Sequence, residues 1–167
     1  EPLPGGRKKV TFQTSPRMSS YLLFFGLGDF ERLSVKGPGG VDLGIVSPAG
    51  SGEQARYALD ALPPIIGYYT DYFGEPYPLP KLDNVAAPGE SQFFGAMENW
   101  GAILTFEKYL LLDPAITSPA TKAYMYTAQA HEVAHQWFGD IVTMAWWDDL
   151  WLNEGFASWM ETKASAR

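Results

Sequence analysis

Cysteine is absent from the 167 residues, which excludes a disulfide framework, a thiolate zinc site and a thiol nucleophile. Histidine is nearly absent as well: His131 and His135 are the only two. No apolar run approaches the roughly 20 residues of a membrane-spanning helix. The longest is the stretch Tyr21-Leu22-Leu23-Phe24-Phe25. Basic residues are few and scattered, with Arg7-Lys8-Lys9 the nearest to a cluster. The 12 Lys and Arg stand against 19 Asp and Glu, giving a formal net charge of −7. That balance speaks against a nucleic-acid partner.

Hydrophobic residues make up 46% of the chain and aromatics 15%, enough to build a core in one domain. Residues 8–13 and 21–33 are rich in aromatic and aliphatic side chains and read as strands. Lys36-Gly37-Pro38-Gly39-Gly40 reads as a turn, and residues 41–46 as a further strand. From about residue 52 the period changes. Ala55, Leu59, Leu62, Ile66, Tyr69 and Phe73 recur at three- and four-residue steps, the spacing of a helix. Pro63-Pro64 is expected to kink or split it. Residues 82–86 and 102–106 read as strands flanking a loop over 89–99. A long helix is expected over 119–138, with Ser118 as its N-cap and Gly139 as its stop. Asp148 or Asp149 would cap a last helix running to about Lys163. Strands first and two helices after them imply an α+β fold.

Both histidines lie on the first of those helices, in His131-Glu132-Val133-Ala134-His135. At about 100° per residue, His135 lies about 40° around the helix from His131, so both imidazoles reach one ion. Glu132 flanks that ion without competing as a ligand. A hydrolytic zinc takes three protein ligands and keeps one position open for water. The missing third is expected from Glu154, a carboxylate in the otherwise apolar run Leu150-Trp151-Leu152-Asn153-Glu154-Gly155-Phe156-Ala157, costly to bury unless paired or bound to metal. Glu161, seven positions further on, faces the same side of that helix. It is the candidate carboxylate to accept the second N–H of a zinc-bound histidine. The segment Gly95-Ala96-Met97-Glu98-Asn99 sits between Phe93-Phe94 and Trp100. Its small residues admit a close backbone approach, while composition alone reads it as a turn carrying an exposed Glu98.

Taken in order, residues 95–99, the pair of histidines and Glu154 after eighteen intervening residues resemble the M1 family of gluzincin aminopeptidases, of the aminopeptidase N and leukotriene A4 hydrolase type. Trp100-Gly101-Ala102, Gln136-Trp137-Phe138-Gly139, and Pro16-Arg17-Met18-Ser19-Ser20-Tyr21-Leu22 followed by Gly28-Asp29-Phe30 are similar to that family too. The resemblance implies a thermolysin-like catalytic core, with residues 1–35 as the tail of an upstream β domain and 36–167 as the N-terminal part of the catalytic domain. It implies one Zn2+ per chain on His131, His135 and Glu154, with Glu132 as general base. Gly95, Ala96, Met97, Glu98 and Asn99 would bind substrate: Glu98 would receive the free α-amino group of a peptide, and the backbone around Gly95 and Ala96 would pair with the substrate chain. The same zinc centre also serves endopeptidases and epoxide hydrolases, which remain the alternatives, together with a zinc-stabilised fragment of little activity. The chain starts without Met and stops inside a helical pattern, so a piece of a longer protein is expected. In the family an upstream β domain, a downstream tyrosine and a C-terminal helical domain complete the machinery.

Overall fold

A computed structural model of the chain describes residues 1–113 and 115–167. A five-stranded mixed sheet organises it, in the order β1-β2-β3-β5-β4. β1 (Phe30–Lys36) runs antiparallel to β2 (Asp42–Pro48), and the tight turn Pro38–Gly40 joins them. β3 (Lys81–Ala87) is parallel to both β2 and β5 (Ala102–Phe106). β4 (Ala96–Met97) lies antiparallel on β5 and forms one edge of the sheet.

The parallel pairing of β2 and β3 needs a crossover, and α1 (Gly52–Phe73) supplies it. Its face of Ala55, Leu59, Leu62, Ile66 and Tyr69 is buried against the sheet residues Leu43, Ile45, Leu82 and Ile103. The helix ends where Gly74 turns to φ +67 and its N–H reaches the Thr70 carbonyl at 3.0 Å. Pro63 and Pro64 sit inside this helix without splitting it, so of the two expected outcomes, a kink or a split, the split does not occur. Apolar packing on both flanks, from Leu59 and Leu62 to Ile65 and Ile66, outweighs the lost hydrogen bonds at roughly 3 kcal/mol per proline.

After β5 come a single turn, α2 (Glu107–Leu110), and then α3 (Pro119–His135). Ser118 caps α3 as expected, its side chain accepting from Thr121 N–H. α4 (Trp151–Ser165) packs against α3. Neither Asp148 nor Asp149 caps α4. Both lie in the preceding 3-10 turn, Trp147–Asp149, and Leu150 is the N-cap without a side-chain bond.

The expected strand over residues 8–13 does not form. Only Lys8 makes a bridge, to Pro2, and Phe12 stays 85% exposed. The expected strand over 21–33 breaks into the 3-10 turn Ser20–Leu22, an irregular stretch and β1. Both segments carry strand-like side chains, but among the described residues the sheet takes up only residues 30–33 of them, and pairing rather than composition makes a strand.

The result is the mixed sheet followed by two helices that carry His131, His135 and Glu154, the architecture of a thermolysin-like zincin core.

Candidate metal centre and substrate cleft

Two internal bonds fix α3 on α1: Tyr69 Oη donates to the Ala130 carbonyl at 2.9 Å, and Gln129 Nε2 donates to the Ala58 carbonyl at 2.8 Å. The helix therefore presents His131, Glu132 and His135 from a rigid mount. Aromatic packing brings α4 up to them. Phe138, just past the end of α3, stacks on Phe156 of α4 with ring centroids 3.7 Å apart, and Phe73 of α1 lies 5.3 Å from Phe138. Phe156 is two residues from Glu154, so this packing sets the carboxylate opposite the histidines.

The three candidate ligand atoms converge. His131 Nε2 and His135 Nε2 are 3.0 Å apart, and Glu154 Oε2 lies 3.2 Å from the first and 3.5 Å from the second. Ligand atoms about 2.0–2.1 Å from a tetrahedral zinc lie about 3.3 Å from one another. The outer nitrogens are occupied: His131 Nδ1 lies 2.7 Å from Glu161 Oε2, and His135 Nδ1 lies 3.0 Å from the Phe138 carbonyl. With both rings neutral, donation there leaves the Nε2 lone pairs facing a carboxylate oxygen, an arrangement that calls for a cation, whether a metal ion or the protons it would displace. The charges agree. Hydrogen bonds to His131 and His135 hold the Glu154 carboxyl well below the usual carboxylate range. Burial pulls His131 down, but the bond to Glu154 and the charges of Glu132 and Glu161 carry it up to about 9. The donor set, spacing and charge fit one zinc ion.

Glu154 is not buried as the apolar sequence around it suggests. Its side chain is 50% exposed, and Trp151, Leu152 and Trp159 on the same helix also face outward. Pairing with the histidines, rather than the avoidance of burial, accounts for its place. Glu132, by contrast, is buried. Burial pushes its pKa up, the nearby histidines only partly offset this, and it stands at about 7.

Residues 95–98 line one cleft of about 360 Å³ together with His131, Glu132, His135 and Glu154. At Gly95 a side chain would meet the Tyr109 ring at 3.2 Å, so glycine keeps this wall open. Ala96 and Met97 form β4, which among the described residues is paired only on its β5 side. Glu98 is 4% exposed rather than the solvent-facing turn residue that composition suggests. Asn99 turns away from the cleft and donates through Nδ2 to the Leu22 carbonyl at 2.9 Å.

Three residues outside the sequence-derived set stand close by. Tyr21 and Gln136 both bond to Glu98. Asp140 is buried with neither carboxyl oxygen bonded within the described residues. Gln136 had a legible signal, an amide placed directly after His135 on a helix whose neighbours are apolar. Tyr21 lies 77 residues from Glu98 in sequence, and no local pattern joins them.

The model for the Peptidase family M1 domain matches residues 57–167. An aminopeptidase N of Acetobacter pasteurianus is 52% identical over 155 residues, covering 92% of this chain and 43% of that protein. A probable aminopeptidase 2 of Sulfurisphaera tokodaii is 51% identical over 162 residues, covering 97% and 20%. A puromycin-sensitive aminopeptidase of Caenorhabditis elegans is 49% identical over 157 residues, covering 94% and 16%. The chain thus spans less than half the length of these curated relatives.

Proposed function

Since the chain belongs to peptidase family M1, we propose that it carries the catalytic core of a zinc aminopeptidase, which removes residues from the free N-terminus of peptides. The observation that carries the reading is the shared cleft: Glu98 opens into the same space as His131, His135, Glu154 and Glu132. An endopeptidase needs the metal triad and a base. A buried carboxylate a short step away gives an α-ammonium somewhere to bind, and that makes the first peptide bond the one that meets the metal.

His131, His135 and Glu154 would hold the ion, one per chain. A zinc ion bound there polarises a carbonyl and brings the pKa of its water to about 7. Glu132, buried beside the two histidines, would serve as the base that takes up a proton during attack and returns it to the departing amine. Burial raises the Glu132 carboxyl in the metal-free chain, while a nearby cation would lower it and favour the ionised form that acts as a base. The open edge of β4 offers backbone N–H and C=O groups to an extended peptide, which adds as a further strand. Gly95 lets the substrate backbone come close. Glu161 holds the His131 ring with Nε2 toward the ion. Residues 1–35 are proposed as the end of an upstream β domain and 36–167 as part of the catalytic domain, with β1 crossing that boundary.

The test is selectivity. Glu98→Ala in the full-length protein lowers the specificity constant for free-amine amide reporters by at least about tenfold, the loss expected for one charge-assisted hydrogen bond, and wild-type protein leaves N-acetylated reporters uncut. Efficient cleavage of acetylated reporters by the wild type contradicts the reading and favours an endopeptidase.

A further inference from the structure

Glu98 is gripped from two sides by residues that have no part in the roles above. Tyr21 comes from the 3-10 turn Ser20–Leu22, and its hydroxyl donates to Glu98 Oε1 over 2.7 Å. The Tyr21 ring packs edge-on to Trp147, centroids 5.1 Å apart. The next residue, Leu22, is buried, and its carbonyl takes the hydrogen bond from Asn99. The turn is therefore docked onto the 95–99 segment at two successive positions.

Gln136 approaches from the opposite side. It follows His135 directly and is fully buried. Its Nε2 donates to the Glu98 backbone carbonyl at 3.1 Å, and its Oε1 accepts the Gly101 N–H at 3.1 Å. One amide group thus spans both ends of the stretch from Glu98 to Gly101. That stretch is itself bent: Gly101 sits at φ +76, and Ala102 N–H closes the turn on the Asn99 carbonyl at 2.9 Å. Bent backbone held at both ends cannot slide along β5.

We infer that Tyr21 and Gln136 are positioning residues, which hold the Glu98 carboxylate at a fixed offset from the metal centre and so determine which peptide bond reaches it. The inference rests on the reading of Glu98 as the ammonium anchor. Gln136 ties the Glu98 backbone to the helix that bears both histidines, so the offset is set by one side chain and not by a loop. Tyr21 occupies one oxygen of the carboxylate and leaves the other for the ammonium. It also supplies the hydrogen bond that a buried carboxylate needs. An anchor displaced by about 1 Å misplaces the scissile bond, an error worth up to about 10²-fold in rate.

A pair of zinc-binding inhibitors separates anchoring from chemistry: leucine hydroxamate and its analogue lacking the α-amine, with dissociation constants taken by calorimetry on the full-length protein. The ratio of the two constants measures how well the amine is held. Tyr21→Phe should keep its zinc and bind the des-amino analogue as wild type does, yet lose about tenfold in preference for the free amine, the scale of one hydrogen bond to a charged group. Gln136→Met, close in volume, should lose at least as much. In a Glu98→Gln background, Tyr21→Phe should cost nothing further. A wild-type ratio in Tyr21→Phe, with the ratio collapsed in Glu98→Gln, overturns this inference alone. Equal weakening of both inhibitors in Tyr21→Phe marks a merely structural residue and also overturns it. A wild-type ratio in Glu98→Gln overturns the anchor reading and this inference together.

Discussion

Glu161 Oε2 lies 2.7 Å from Nδ1 of His131, while Glu154 Oε2 lies 3.2 Å from Nε2 of the same ring. Two carboxylates of α4, seven residues apart, thus hold one imidazole of α3 from both nitrogens. The outer contact fixes the tautomer that leaves Nε2 free to bind a cation, and it raises the basicity of that nitrogen. Glu161→Ala should weaken zinc binding by about 10–100-fold, measured by competition with a calibrated chelator. Affinity equal to wild type would remove Glu161 from the account.

Gly139 is the second support of the centre. Its φ of +129 is a region open to glycine, and an added Cβ would lie 3.4 Å from both Nδ1 and the carbonyl of His135. Gly139→Ala should cost about 1–3 kcal/mol through backbone strain, lowering the thermal midpoint by about 2–4 °C for each kcal/mol. Relief of that strain would shift the neighbouring Phe138 carbonyl, which bonds His135 Nδ1, and should weaken zinc binding in the same variant. Calorimetric scans with and without added zinc read both effects, and an unchanged midpoint would show that the turn relaxes freely.

Asp140 introduces a pH dependence into the metal-free protein. Burial, reinforced by the charges of Glu98 and Glu132, raises its carboxyl from the ordinary 3.8 to about 9. Between those values the folded chain holds a proton that the unfolded chain has released, so this group lowers stability as pH rises. Its contribution is most favourable below about pH 4 and is lost on the way to pH 9. Asp140→Asn carries no such titration. After removal of metal by chelation, the variant should melt at a temperature close to wild type at pH 5 and above it at pH 8.5. A gap that does not widen with pH would mean Asp140 ionises freely in the fold.

The central site was legible in the sequence because helical spacing is local. His135 lies four positions after His131, which decides that they share a face, and Glu161 lies seven after Glu154, with the same consequence. The core side of α1 was legible for the same reason. What escaped depends on contacts across the chain. Residues 8–13 have the composition of a strand, yet among the described residues only the bridge from Lys8 to Pro2 pairs them. The prolines at 63 and 64 signal a break that packing on both sides overrides. The burial of Glu98 is produced by Tyr21 and Gln136, which no spacing rule connects to it, and the exposure of Glu154 follows from α4 turning Trp151 and Leu152 outward.

Metal content measured beside turnover tests the whole account most directly. Plasma emission analysis of the purified protein should give about one zinc per chain, lost in His131→Ala and in His135→Ala. Glu132→Gln should retain that zinc while its turnover of free-amine reporters falls by at least about 10²-fold, the contribution expected of a general base. Zinc retained in both histidine variants, or near-normal turnover in Glu132→Gln, would contradict it.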